Sequence, residues 1–133
     1  MIRVLLALSM LVSVACFDDY STAVGTVTGT YTLRTINGSA LPYTYDVDAS
    51  TRKEIVDDMI TLFSGGSYSR VQHATITVTG QTTGQTNTES GAYVLLGTSV
   101  TLNPSPAGRS TVTTVDGKTM TLVESGITWT FMK

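Results

Sequence analysis

Arg70 and Gln72 are the residues in this chain whose spacing comes closest to building a site. They lie two apart, so in an extended strand both project to the same face. If the alternation of Ala74, Ile76 and Val78 continues backward, that face is the buried one. Arg70 would then need a partner, and a ligand carboxylate is one candidate. A bulge near Val71 would turn Val71 inward and Arg70 outward, and the cost of an unpaired buried charge favours that arrangement. His73 is the only histidine, and its period-two neighbours are threonines, which places it on the outer face. A general base needs a nucleophile or carboxylate within reach, and no motif supplies one, so no enzyme activity and no catalytic residue is expected. Asp46 and Asp48 share a strand face, but no glycine-punctuated acidic loop surrounds them as a calcium site requires. Asp18-Asp19 and Asp57-Asp58 likewise read as solvated acidic pairs. One histidine and one cysteine fall short of the ligand set zinc takes. Neither a phosphate-cradling glycine loop nor a serine-nucleophile elbow is present, and no metal or cofactor is expected.

The single cysteine, Cys16, belongs to a different kind of chemistry. Met1-Ile2-Arg3 is followed by an apolar run from Val4 to Val12, then by Ser13-Val14-Ala15-Cys16. A short basic start, a brief hydrophobic stretch and small residues before a cleavage point make a secretory signal. The last four residues resemble a bacterial lipobox, whose cysteine is diacylated and becomes the new N-terminus. That resemblance implies a signal peptide over residues 1–15, lipidation at Cys16 and an anchored tether over 16–27. The protein would then sit in the bacterial cell envelope, on the outer membrane if the organism has one. The apolar run is shorter than the roughly 20 residues a membrane-spanning helix needs. One acyl chain binds a membrane marginally, whereas two or more hold it stably. A lone cysteine excludes an internal disulfide, and acylation would leave no thiol for catalysis.

Composition limits the remaining choices. The formal net charge is −2, and the charges are dispersed. That pattern argues against a nucleic-acid partner, which favours basic patches with stacked aromatics. Residues 28–133 suffice for one domain with one core.

Positioning in this domain falls to strands. Threonine is the commonest residue, and β-branched side chains suit a pleated surface. Tyr31 and Leu33 share a face opposite Thr30, Thr32 and Arg34. Asn37-Gly38 supplies a turn, and Leu41 to Asp48 forms a second strand with Pro42 near its start. Residues 52–63 fit a helical face about as well as a strand; strand is preferred, with a bulge or bend near Asp57-Asp58. Tyr68 to Thr79 makes a long strand ended by a polar tract, Gly80 to Ser90, which reads as a mobile hairpin loop. Inward faces follow at Tyr93-Leu95, Val100-Leu102, Val112, Met120-Leu122 and Trp129-Phe131. Asp116-Gly117 between two of them is a strong hairpin signal. The expected fold is all-β: an antiparallel up-and-down meander of about eight or nine strands. Closing it into a small barrel removes the exposed edges.

Three strands open alike, at Gly29-Thr30-Tyr31, Gly66-Ser67-Tyr68 and Gly91-Ala92-Tyr93, with a variant at Gly126-Ile127-Thr128-Trp129. Together with Ile36-Asn37-Gly38, Leu41-Pro42, Ile60-Thr61-Leu62 and Met120-Thr121-Leu122, these make Gly29 to Lys133 resemble the small bacterial lipocalin-like lipoproteins. In classical lipocalins a Gly-x-Trp near the start of the first strand closes the barrel base; Gly29 and Tyr31 hold that place here. The resemblance implies a lipocalin-like calyx for a small apolar or amphipathic ligand. Candidate lining residues are Tyr31, Leu33, Tyr68, Arg70, Tyr93, Leu95, Met120, Trp129 and Phe131. The alternative is a structural or protein-interaction lipoprotein, a monomer whose barrel those same side chains fill and which holds no ligand.

Overall fold

The computed structural model describes residues 27–133; the expected signal peptide, Cys16 and the tether before Val27 lie outside the described residues. Ten antiparallel strands follow one another: β1 (Gly29–Ile36), β2 (Ser39–Ala40), β3 (Tyr43–Val47), β4 (Thr51–Leu62) and β5 (Ser67–Val78). Then come β6 (Gln81–Leu96), β7 (Ser99–Pro104), β8 (Thr111–Asp116), β9 (Thr119–Glu124) and β10 (Ile127–Met132). Eight of them close a barrel. From β4 to β10 each strand pairs with the next, and β1 joins the two ends by pairing with both β10 and β4. The other two, β2 and β3, flank the ring, β2 on the end of β1 and β3 on the first half of β4. The expected second strand is therefore shorter than Leu41 to Asp48 and lies outside the ring. Pro42 has no N–H to give a ladder, and pairing resumes only at Tyr43.

Tight turns fit the twist of the strands they join. Asn37-Gly38, Thr79-Gly80 and Ser125-Gly126 each put two successive residues at positive φ (50° and 78°, 46° and 82°, 52° and 78°). Those are the angles of a type I′ hairpin turn.

Residues 52–62 are strand, as preferred, with Phe63 just beyond its end, and the ladder shifts between Ile55 and Asp57. The extra residue, Val56, lets Ile55 face inward above it while Asp58, Ile60 and Leu62 face inward below. On β5 the ladder with β6 runs without interruption from Ser67 to Val78, so no bulge occurs at Val71. The inward series Ala74, Gln72, Arg70, Tyr68 is continuous. The outward reading of Arg70 is thus corrected.

Two further expectations are corrected. Gly80 to Ser90 is no loop: only Thr79-Gly80 turns, and Gln81–Ser90 pairs residue by residue with β5. Its polarity has another cause. β6 meets β7 only through Gly91–Leu96, so the earlier part stands clear of the ring with one strand neighbour and no core to face. Val112 is 57% exposed, and Thr113 (1%) and Val115 take the inward positions of β8. Opposed residues point the same way, and Thr113 lies opposite the buried Val100. The Thr113 hydroxyl donates to the Val100 carbonyl at 3.2 Å, which satisfies it in the core.

The base of the barrel, where β1 begins and β4 ends, is solidly filled. Tyr31, Leu33, Ile60, Leu62, Tyr68, Leu102, Met120 and Phe131 are all buried there or just above. Each of the three repeated tyrosines hydrogen-bonds through its hydroxyl. Tyr31 donates to the Val27 carbonyl (2.7 Å), Tyr93 to the Phe63 carbonyl (2.9 Å) and Tyr68 to Glu89 Oε1 (2.7 Å). Gly91 sits opposite Tyr68 and Pro104, and a Cβ there would collide with the backbone carbonyl of Asn103. Gly84, on the free part of β6, meets nothing. Gly91→Ala should therefore lower unfolding stability by about 3 kcal/mol in chemical denaturation, while Gly84→Ala leaves it level or slightly raised. Equal effects at the two positions would contradict the close approach at Gly91.

Candidate functional site

Strand register places a layer of polar side chains across the barrel, above the filled base. Gln72 lies opposite Asp58 on one side and Asn87 on the other. One step lower, Arg70 lies opposite Ile60 and Glu89. Asp58 is 0% exposed, and Arg70 retains only 16% of its side-chain surface. The guanidinium grips the carboxylate through both Nε (3.1 Å to each oxygen) and Nη2 (2.6 Å to Oδ2). Gln72 Nε2 donates to Oδ2 at 3.0 Å, and Gln72 Oε1 accepts a longer bond from Asn87 Nδ2 at 3.4 Å. Asp58 is thereby paired and hydrogen-bonded, as a buried charge must be.

Arg70 also lies over the Trp129 indole, 5.9 Å from its centroid. Burial works against the charge of Arg70. The hydrogen bonds and charge of Asp58 outweigh it, Glu89 and Glu124 add to them, and the pKa rises above the ordinary arginine value. Burial and the hydrogen bond to Glu89 hold the Tyr68 phenol far above its usual range, so it stays a donor at neutral pH. Burial also raises Tyr31, with Tyr93 contributing. The indole N–H of Trp129 is buried and has no hydrogen-bond partner.

Above this layer the barrel opens. A pocket of about 390 Å³ lies at the mouth, within the size range of small-molecule sites. Tyr43, Ile55, Ile127 and Trp129 give it apolar walls, and Arg70 and Gln72 form its floor. Tyr45, Asn87, Thr88, Glu89 and Glu124 complete its rim. A more open cleft of about 820 Å³ adjoins it, between β5, β6 and the segment carrying Pro104, Pro106 and Arg109.

Of the residues expected to line a calyx, Arg70 and Trp129 border this pocket. Tyr31, Leu33, Tyr68, Tyr93, Leu95, Met120 and Phe131 are buried in the packed core and fill the barrel. Asp58 had been read as part of a solvated pair, and it is the most deeply buried charge described. Below the bulge ordinary alternation turns its neighbour Asp57 outward. There Asp57 meets His73, with Oδ1 2.6 Å from Nδ1. A carboxylate is therefore within reach of the histidine after all, on the exposed outer wall and outside the pocket lining.

Asp46 and Asp48 serve the β3–β4 hairpin. Asp46 pairs with Lys53 at 3.0 Å. Asp48 Oδ1 accepts from the backbone N–H groups of Ser50 and Thr51 at 2.8 and 2.6 Å, bonds that lower its pKa. Among the described residues no three His, Cys, Asp or Glu side chains are placed to hold a metal, and no helix is long and apolar enough to cross a membrane. No family model matches the chain, and no curated protein matches it.

Removing one member of a buried ion pair strands the other. Asp58→Ala should cost about 3 kcal/mol or more of unfolding stability. The double variant Asp58→Leu with Arg70→Met should recover most of that loss. A double variant as unstable as the single one would show that the pair is not what the layer depends on.

Proposed function

We propose that this chain is a lipocalin-like binding module that holds a small amphipathic ligand in the mouth of its barrel. The observation carrying this reading is the pocket of about 390 Å³, apolar on its walls and floored by an ion pair that is already satisfied. Such a lining combines area for desolvating a ligand with a few fixed polar groups for orienting it. The ligand occupies the mouth and not the full depth of the barrel, because the base is filled.

The lipobox-like Ser13-Val14-Ala15-Cys16 supports a second part of the proposal: the module is tethered to a bacterial envelope membrane through acylated Cys16. A competing reading, an interaction protein without a ligand, draws support from the packed lower barrel. It leaves the open, apolar-walled mouth without a role.

Trp129 is the only tryptophan and borders the pocket, so its fluorescence reports occupancy. Titration with a neutral amphiphile such as phenylbutanol should give a saturable change that Trp129→Phe abolishes. A flat titration would favour the interaction reading. For the tether, cells fed radioactive palmitate should label the wild-type protein and leave Cys16→Ser unlabelled; persistent labelling of the variant would refute the anchor.

A further inference from the structure

The charges around the mouth are unequal. The one cation in the pocket lining is Arg70, and its guanidinium is spent on Asp58 through three short contacts. Arg52 and Lys53, on the nearby part of β4, are paired with Glu54 at 2.6 Å and Asp46 at 3.0 Å. Arg109 belongs to the adjoining cleft and does not line this pocket. With Asp58 neutralising that single cation, Glu89 and Glu124 remain as unmatched negative charges in the lining. Glu89 is fixed in place by the Tyr68 hydroxyl, and Glu124 makes no ion pair within 4 Å among the described residues. The walls add the faces of Tyr43, Tyr45 and Trp129, whose negative quadrupoles favour a cation.

We propose that the mouth pocket is selective for a small cationic amphiphile, a protonated amine or quaternary ammonium on a flat apolar body, and that it disfavours carboxylates. This rests on the ligand-binding reading above and names its ligand class. The apolar body lies against Ile55, Ile127 and Trp129, and the charged end meets Glu89 and Glu124. A carboxylate would find the charge of the guanidinium already matched by Asp58 and two like charges at the rim. Bringing like charges together without a free partner is a standard means of rejecting the wrong ligand.

Three probes of one shape and different charge test this by calorimetry at neutral pH and low salt: phenylbutylamine, phenylbutanol and phenylbutyrate. The amine should bind about tenfold more tightly than the carboxylate, with the alcohol between them. Glu89→Gln with Glu124→Gln should bring the affinities for the amine and the carboxylate together, removing most of that preference. The amide at position 89 still accepts from Tyr68. If the double variant fails to fold, Glu124→Gln alone, at an exposed position, should lose part of the preference. Alcohol binding with no advantage for the amine, or a preference that survives the substitutions, overturns the charge selectivity and leaves the ligand site standing. Failure of all three probes to bind overturns the ligand site itself and the selectivity with it.

Discussion

A carboxylate with no exposed surface sits inside this barrel, and much of the upper interior is arranged around giving it partners. Asp58 reaches the interior because β4 takes an extra residue at Val56. Arg70 reaches it because β5 takes none. Without the first irregularity Asp58 would face solvent; with a second one Arg70 would. The pair exists only because one strand bends and its neighbour stays regular. Its satisfaction then sets the character of the mouth, since the charge of the one cation in the lining is already matched by a buried carboxylate.

The barrel divides its length between two tasks. Its base is a core in the ordinary sense, with aromatic and aliphatic side chains from all sides and tyrosine hydroxyls each given an acceptor. Its mouth is polar underneath and apolar around the sides, and the long strands β4, β5 and β6 rise past the ring beside it. Tyr68 joins the two regions: its ring packs in the core while its hydroxyl holds Glu89 at the rim. The filled base leaves the barrel open only in the half where charge is concentrated.

The strands themselves were legible in the sequence because period-two alternation is a local property, and so were the glycine turns that join them. Tyr31, Leu33, Tyr93 and Leu95 face inward as their alternation indicates. Val112 misleads, because its strand is short and register against Val100, a distant neighbour, decides its face. Gln81 to Ser90 misleads for a different reason. A strand with no core beside it needs no apolar residues, so its composition is that of a loop. Trp129 was recognisable as a candidate lining residue, and Arg70 as one only if no bulge intervened, whereas Asp58 was hidden. Its role follows from a bulge and from partners 12 and 14 positions away, neither of which leaves a mark in local pattern.

The seam that closes the ring joins β1 to β10. Across it, Thr128 donates its backbone N–H to Asn37 Oδ1, 91 positions away, and Lys133 Nζ reaches the Thr28 carbonyl across 105. These contacts cannot form until the last strand has been made. The ring therefore cannot close for most of the chain's synthesis, since Leu33 pairs with Phe131. Pairings this distant in sequence carry a loop-closure cost before they return any stability, which slows folding. For this barrel, completion is a late event in time as well as the last step in space.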